Sequence, residues 1–599
     1  MSKISRKDFV KLVGSAAAGA AAGCLFSGTP ALILKKLAAL ENEGYTLPPQ
    51  QTSIVTGICS LCPVPCTLSI RLAGENAVSI ESSNKSCPLT FTGVQAMAHP
   101  ERLTSPLKKT REDNFTPVSM NEAITAIAAK LRQLIDTNGY SAISVICSRE
   151  TVASSKRLGV NIVCEPTPES LSTSVLGGRL AYDFSAADFI ISFRSPVFEE
   201  SIFAGSPKPD KIIYVGSMCT PTASLADEWI PVRPDTEAAF ALGMSNYILK
   251  KYSRLPNVFN LQQWIISTQN FTVETAAQIT GSPVNRIIYA AEMFMQAVAP
   301  VAVCPTSFAS SADIACVYAL NSAVGTNAVS LIQDYGNEIS YGLDSFIKNK
   351  NFEMLVITNA NPVYSSVLGN RLIEKMNRGF TVAVTPFMND TACYGDYVLP
   401  TLLPAELLNL VPPPKDILSV SEIMNRIAEA AGLQQSAPIN IKQIEMNRFF
   451  FKPESIANIA SSANNSDEYP ITLLPLTLPL LGTNDASRLP YIIKALDKTY
   501  FEDGKLKLQL NEETAAKLEL KQGGKVFIHS ARGEAGPVFI NINNAVPPNA
   551  AAIPLGFGHA MPTEFAATLG INPKHIMDDA IDVVTGEANR LVTRVRIVG

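Results

Sequence analysis

Histidine is scarce, at 4 residues in 599. That is too few for a multi-histidine metal centre, and no Cys-x-x-Cys-His occurs, which excludes covalently attached haem. Charge is scarce too. Asp, Glu, Lys and Arg make up 17% of the chain, with 53 acidic against 49 basic residues and a formal net charge of −4. Nucleic-acid binding needs a basic excess that this balance lacks. Beyond Leu34 no apolar run reaches the ~20 residues a bilayer span requires, so the body of the chain is expected to be soluble. Apolar residues, by contrast, are plentiful at 47%. They supply enough surface to offset chain entropy, and this length predicts about three to five domains.

The chain opens with Lys3, Arg6 and Lys7, followed by an Ala/Gly-rich apolar run to about Phe26. A basic stretch before a mildly apolar one reads as an export signal over residues 1–44. It resembles a twin-arginine signal with Lys7 in the second arginine position, which implies export of the folded chain to the periplasm. A surface amphipathic helix is the alternative. The stretch from Leu12 to Leu34 is long enough to remain as an anchor, and Cys24 follows a poor lipoprotein box.

Residues 45–117 are rich in Cys, Pro and Ser with short β-like runs, a small module unable to bury much alone. From 118 the pattern changes. Ser141–Cys147, Asp188–Phe193 and Lys211–Val215 are continuous apolar runs of the kind buried on both faces of a parallel sheet. Helical spacing over Met120–Ile135 completes a βαβ pattern and predicts a first α/β domain over 118–295. Ala299–Cys304, Glu353–Thr358 and Phe380–Thr385 repeat the pattern and predict a second over 296–432. Residues 433–468 read as a connector. Lys525–His529 and Val538–Ile542, separated by turns, predict a C-terminal β-barrel over 469–599.

The strongest chemical signal is Cys59-x2-Cys62-x3-Cys66-x20-Cys87. Three thiolates wrapped in one loop and a fourth nearby suit a [4Fe-4S] cluster. Structural zinc and disulfides are the competing readings, although zinc more commonly uses two Cys-x-x-Cys pairs. Cys147, Cys219, Cys304, Cys316 and Cys393 lie in apolar segments and read as small core residues.

With these residues in view, the chain resembles the molybdopterin oxidoreductase superfamily over nearly all its length after the signal. The four cysteines followed by His99-Pro-Glu-Arg-Leu-Thr-Ser-Pro-Leu-Lys-Lys109 look like that family's iron–sulfur module. Ala226-Asp227-Glu-Trp-Ile-Pro-Val-Arg-Pro-Asp-Thr-Glu237 and Ala392…Tyr397-Val-Leu-Pro400…Glu406 resemble the stretches closing its two dinucleotide-binding halves. Leu510 to Gly556-Phe-Gly-His559 resembles its C-terminal barrel.

The departures are specific. Leu89 stands where active members carry Lys or Arg after the fourth cysteine. Phe193-Arg194-Ser195-Pro196 replaces a Gly-x-Asn-Pro turn, with Phe193 read into the glycine position. Gly216-Ser217-Met218 replaces Asp-Pro-Arg, and Pro234-Asp-Thr-Glu237 replaces Pro-Gly-Thr-Asp. Such a degenerate chain is similar to the non-catalytic molybdopterin-like subunits of respiratory complexes. That resemblance implies a scaffold, with a relay cluster on Cys59, Cys62, Cys66 and Cys87 and without molybdopterin or molybdenum. It also implies a complex on the periplasmic face of the inner membrane, reducing menaquinone with electrons from cytochrome c in sulfate respiration. The implied partners are a multihaem cytochrome c subunit, an iron–sulfur subunit and an integral membrane quinone-binding subunit. Two alternatives stand beside it. One is an active molybdenum reductase of a thiosulfate or polysulfide type with Cys164 on the metal; the other is a metal-free binding module at the membrane surface.

Overall fold

The computed structural model describes residues 52–599 apart from 59–66, 75, 83–92, 94, 113, 159, 199–208, 306–307, 334–338, 341, 408–409, 434–443, 447, 457–458, 460–466, 479–480, 482–488 and 561–568. Residues 1–51, with the signal reading and Cys24, lie outside the described residues.

Two sheets of parallel strands organise the middle of the chain. Ile143–Cys147, Met354–Thr358 and Phe380–Val384 lie side by side in parallel, with Val145, Val356 and Val382 in register. Asn161–Cys164 extends this sheet on one side and Tyr397–Leu399 on the other. The antiparallel hairpin Leu107–Lys109 and Phe115–Pro117 finishes that second edge. Ile143–Cys147 and Met354–Thr358 are buried at every position, as their unbroken apolar sequence requires. Helix Met120–Asn138 covers one face. Ser119 accepts the Glu122 N–H at 3.1 Å to start it, and Gly139 at φ 74° ends it. Its Ala123, Ile124, Ile127, Leu131 and Leu134 recur every three or four residues and fill one core with Ile423 and Ile427.

The other parallel sheet orders Glu228–Pro231, Lys211–Gly216, Phe189–Phe193 and Pro300–Val303. Helices Glu237–Tyr252 and Ser311–Val324 pack on it around Phe240, Phe294 and Trp264. The expected mixed α/β class with parallel sheets is therefore present. A boundary at 295/296, however, cuts across these sheets. Strand Ile143–Cys147 pairs with Met354–Thr358, and strand Pro300–Val303 pairs with Phe189–Phe193. The physical reason is that a buried strand's composition reports its burial and not its partner.

The two sheets repeat one another in detail. Asp227 accepts the Ile212 N–H at 2.7 Å and returns its own N–H to the Ile212 carbonyl at 3.0 Å. Asp396 does the same with Thr381, at 2.7 Å and 2.8 Å.

At the C-terminus, Lys505–Leu510, Gly533–Ile542, Lys525–Ser530, Arg594–Val598, Ile471–Leu476 and Ala550–Pro554 pair in that order. Gln509 and Leu510 then pair back to Ala552 and Ala551, closing a six-stranded barrel. Closure removes exposed strand edges. Near the N-terminus, Thr52–Ile58, Thr67–Ala73 and Asn76–Ser82 form an antiparallel sheet. Its Leu68, Ile70 and Leu72 pack with Leu410 and Val411.

Candidate functional site

In open α/β sheets a ligand binds beyond the carboxyl ends of the parallel strands. Here two groups of polar side chains occupy that edge, one for each sheet, and loops of the barrel reach over both.

The first group centres on Arg194, which follows strand Phe189–Phe193. It has φ 51°, a left-handed conformation, and its N–H donates to the Val215 carbonyl at 2.8 Å. Phe193, assigned from sequence to the glycine position, is instead the fully buried last residue of the strand. The residue whose backbone needs a glycine-like angle is Arg194. Its guanidinium donates to Asp313 Oδ2 at 3.1 Å and to the Phe308 carbonyl at 3.4 Å, and its Nε lies 3.6 Å from Glu237 Oε1. Glu237 and Asp313 are buried. Asp235, at φ 60°, accepts from Asn589 of the barrel at 3.1 Å. Burial raises Asp235 to about 7, with Asp313 adding repulsion and Arg194 opposing it. Burial raises Glu237 to about 7 against the pull of Arg194.

Glu237 also opens helix Glu237–Tyr252, placing a carboxylate at the positive helix end that would otherwise favour a phosphate. A pterin dinucleotide needs close backbone approach and free donors at this turn. Here the turn carries a side chain, its cation is hydrogen-bonded to Asp313, and the carboxylates of Glu237 and Asp235 add negative charge beside it. These residues do not fit the phosphates of such a cofactor.

The second group follows strand Met354–Thr358. Asn361 donates to Asp390 Oδ2 at 3.1 Å and accepts from the Thr391 N–H at 3.0 Å. The barrel loop Gly556–His559 reaches the same carboxylate: His559 Nδ1 lies 2.7 Å from Asp390 Oδ2, and the Ala560 N–H donates to Oδ1 at 2.6 Å. Burial works to raise the Asp390 carboxyl, but these partners hold it down at about 2. Tyr364 stacks on His559 with centroids 3.9 Å apart and donates to the Phe557 carbonyl at 2.9 Å.

Alongside it lies Glu165, which accepts from Ser365 Oγ at 2.6 Å and from the Asn361 N–H at 3.2 Å. Burial raises its carboxyl above the ordinary value. Lys574, buried under the barrel, places Nζ 4.4 Å from the centre of the Tyr364 ring. Burial, and after it Arg590, pushes Lys574 down to about 7. Sequence reasoning missed Asn361, Asp390, Lys574 and the Arg194 ion cluster. The Asn361-Pro362 dipeptide of the second half, in the sequence Asn359-Ala360-Asn361-Pro362, was the signal that could have found the first two.

Cys164 ends strand Asn161–Cys164, in register with Cys147 of the next strand. It is buried in the same apolar cluster as Val356, Ile162 and Cys147. Hydrogen bonding with Cys147 and then burial raise its thiol far above the ordinary value, the opposite of what a thiolate metal ligand requires. Cys147, Cys304 and Cys316 are buried, as expected of core residues, while Cys219 and Cys393 are partly exposed. Cys59, Cys62, Cys66 and Cys87 lie outside the described residues. Among the described residues no group of three or more His, Cys, Asp or Glu side chains is placed to hold a metal ion, and no helix is long and apolar enough to cross a membrane.

Comparison with known proteins returns one consistent pattern. A family model described as molybdopterin oxidoreductase matches residues 102–406. The menaquinone reductase molybdopterin-binding-like subunit of Nitratidesulfovibrio vulgaris is 24% identical, with 98% of each chain covered. Acetylene hydratase of Syntrophotalea acetylenica is 24% identical over 40% of this chain and 38% of its own. The solved acetylene hydratase from Pelobacter acetylenicus superposes with a TM-score of 0.73 at 15% identity. That match covers 91% of this chain and 99% of the hydratase, and it shows a shared fold.

Proposed function

This chain belongs to the molybdopterin oxidoreductase family, and we propose that it serves as a component of a membrane-bound respiratory quinone reductase without being a catalyst itself. The full-length similarity to a menaquinone reductase subunit supports the complex. The non-catalytic role is carried by one observation: Arg194, at the turn where a dinucleotide would approach, is bonded to Asp313 and faces buried Glu237. A retained fold does not by itself carry the chemistry of its family, which supports a scaffold role.

In this reading Cys59, Cys62, Cys66 and Cys87 hold a [4Fe-4S] cluster, since four closely spaced thiolates are the donor set such a cluster takes. The partners in this reading are a multihaem cytochrome c subunit and an iron–sulfur subunit on the periplasmic side. An integral membrane subunit carries the quinone. Burial of Cys164 in an apolar cluster weighs against the molybdenum reductase alternative.

Metal analysis of the natively expressed protein tests the proposal. It predicts about four iron atoms and no molybdenum per chain, with cytochrome and iron–sulfur subunits copurifying. Stoichiometric molybdenum would overturn it.

A further inference from the structure

One surface beside the four-stranded sheet combines protruding apolar side chains with two arginines, Arg254 and Arg448. Phe259 is 57% exposed, Phe450 54% and Val298 93%, with Leu255 also exposed. They belong to one surface. The Phe259 N–H donates to the Phe449 carbonyl at 2.9 Å, which brings Phe450 alongside. The Arg448 guanidinium stacks 4.9 Å over the Phe259 ring and donates to the Val258 carbonyl at 3.3 Å. The Asn257 N–H donates to Ser322 Oγ at 2.8 Å, tying this loop to the end of helix Ser311–Val324. Arg254 and Val298 then share the wall of a cavity that also takes in Phe294 and Val324.

Within the segments that build this surface the charged residues are cations. Segments 250–260, 294–300, 322–328 and 448–452 hold Lys250, Lys251, Arg254, Arg448 and Lys452 and no carboxylate, in a chain whose net charge is −4. Lys251 is turned toward Glu292, and Lys452 donates to the Ser174 carbonyl at 2.8 Å. Arg254, on the cavity wall, and Arg448, over Phe259, are the cations placed among the apolar side chains. The acidic groups nearby are Glu292 beside Lys251, Glu274 near Lys250, Asp183 on the cavity wall, and Asp188, whose carboxylate is taken by the N–H groups of Val298 and Ala299 at 2.8 Å each.

Apolar side chains on loop tips with arginines beside them suit an anionic bilayer surface. The apolar tips enter the acyl boundary and each cation near the headgroups contributes ~1 kcal/mol. A protein partner would sooner bury a flat, close-packed centre. The geometry points to Phe259, Phe450, Leu255 and Val298, with Arg254 and Arg448 among them, as a face that rests on anionic phospholipid. This rests on the reading of the chain as part of a membrane complex, and its test is separable. Copurification of redox subunits tests that reading, whereas acyl-chain contact tests this face.

The experiment uses the full chain carrying F259W, mixed with vesicles of phosphatidylglycerol and phosphatidylcholine whose acyl chains are brominated. The native Trp264 is buried and Trp229 is bonded to the Gly216 carbonyl, so both serve as an internal background. Emission from F259W should fall about twofold relative to unbrominated vesicles, and Arg254→Glu with Arg448→Glu should abolish that loss. F450W provides a second reporter should F259W fold poorly. Absence of quenching in both reporters overturns the inference. So does equal quenching in vesicles of phosphatidylcholine alone, or loss of copurifying subunits in F259D without any lipid contact.

Discussion

Arg194 and Asn359 occupy equivalent places in the two parallel sheets. Each follows the central strand of its pair with a positive φ, 51° and 48°. Each donates its N–H to the last-turned carbonyl of the neighbouring strand, Val215 at 2.8 Å and Val384 at 2.9 Å. The backbone is therefore alike at this turn in both halves, while the side chains differ. Asn is among the residues that tolerate this angle, whereas Arg is not. Arg194 is held there by its ion pairs, and the same ion pairs occupy the ligand edge.

Substituting Arg194→Gly relieves the left-handed strain, ~1 kcal/mol, but strips the cation from Glu237 and Asp313. Breaking a buried pair costs ~3–5 kcal/mol, so the loss should dominate. Urea unfolding at pH 8 is expected to show a net destabilisation of ~2–4 kcal/mol. A variant as stable as the parent would show that the ion cluster does not hold this turn.

Stability should pass through a minimum near neutral pH from these buried groups. Asp235 and Glu237, raised to about 7 from 3.8 and 4.5, hold protons in the folded state that the unfolded chain releases, so stability falls as pH rises toward 7. Lys574, lowered to about 7 from 10.5, is the reverse: above pH 7 the unfolded chain holds the extra proton, and stability rises with pH. Thermal melts across pH 5 to 9 check both limbs. Glu237→Gln should flatten the acidic limb and Lys574→Met the alkaline one; unchanged slopes would contradict the assignment.

The barrel is tied to the larger sheet through Asp390 and His559, 2.7 Å apart and both buried. A double-mutant cycle with Asp390→Asn and His559→Gln should give a coupling of ~1–3 kcal/mol. Because Asp390 is held down at about 2, its contribution is present above pH 4 and is lost only as pH falls through 2. Additive effects of the two substitutions would mean that the contact carries no energy.

Cys164→Ala and Cys62→Ser should differ in kind. The first removes a buried thiol from an apolar cluster, and is expected to cost ~1 kcal/mol with the iron content intact. The second should abolish cluster absorption while the later domains remain folded, as judged by circular dichroism. Full iron retention in Cys62→Ser would refute the four-cysteine assignment.

Much of the fold was legible in the chain. The buried strands announce themselves as short runs such as Ile143-Ser-Val-Ile-Cys147 and Met354-Leu-Val-Ile-Thr358, both present at nearly the expected bounds. Their adjacency was not legible, because two equally apolar strands carry no label for one another. The candidate site was legible only in part. Altered motifs marked the edge at Phe193–Pro196 and Pro234–Glu237, yet the glycine-like angle fell on Arg194 and not on Phe193. Asp390 and His559 are 169 residues apart, and no spacing rule links them.

The amino-acid order by itself determined the element types and the family, because each depends on local pattern or on short motifs. Only the tertiary structure decided that Arg194, Asp235, Glu237 and Asp313 converge on one buried point. It alone placed Cys164 in the core. Burial and charge pairing are properties of neighbours brought together by folding, and chain order does not specify which neighbours those are.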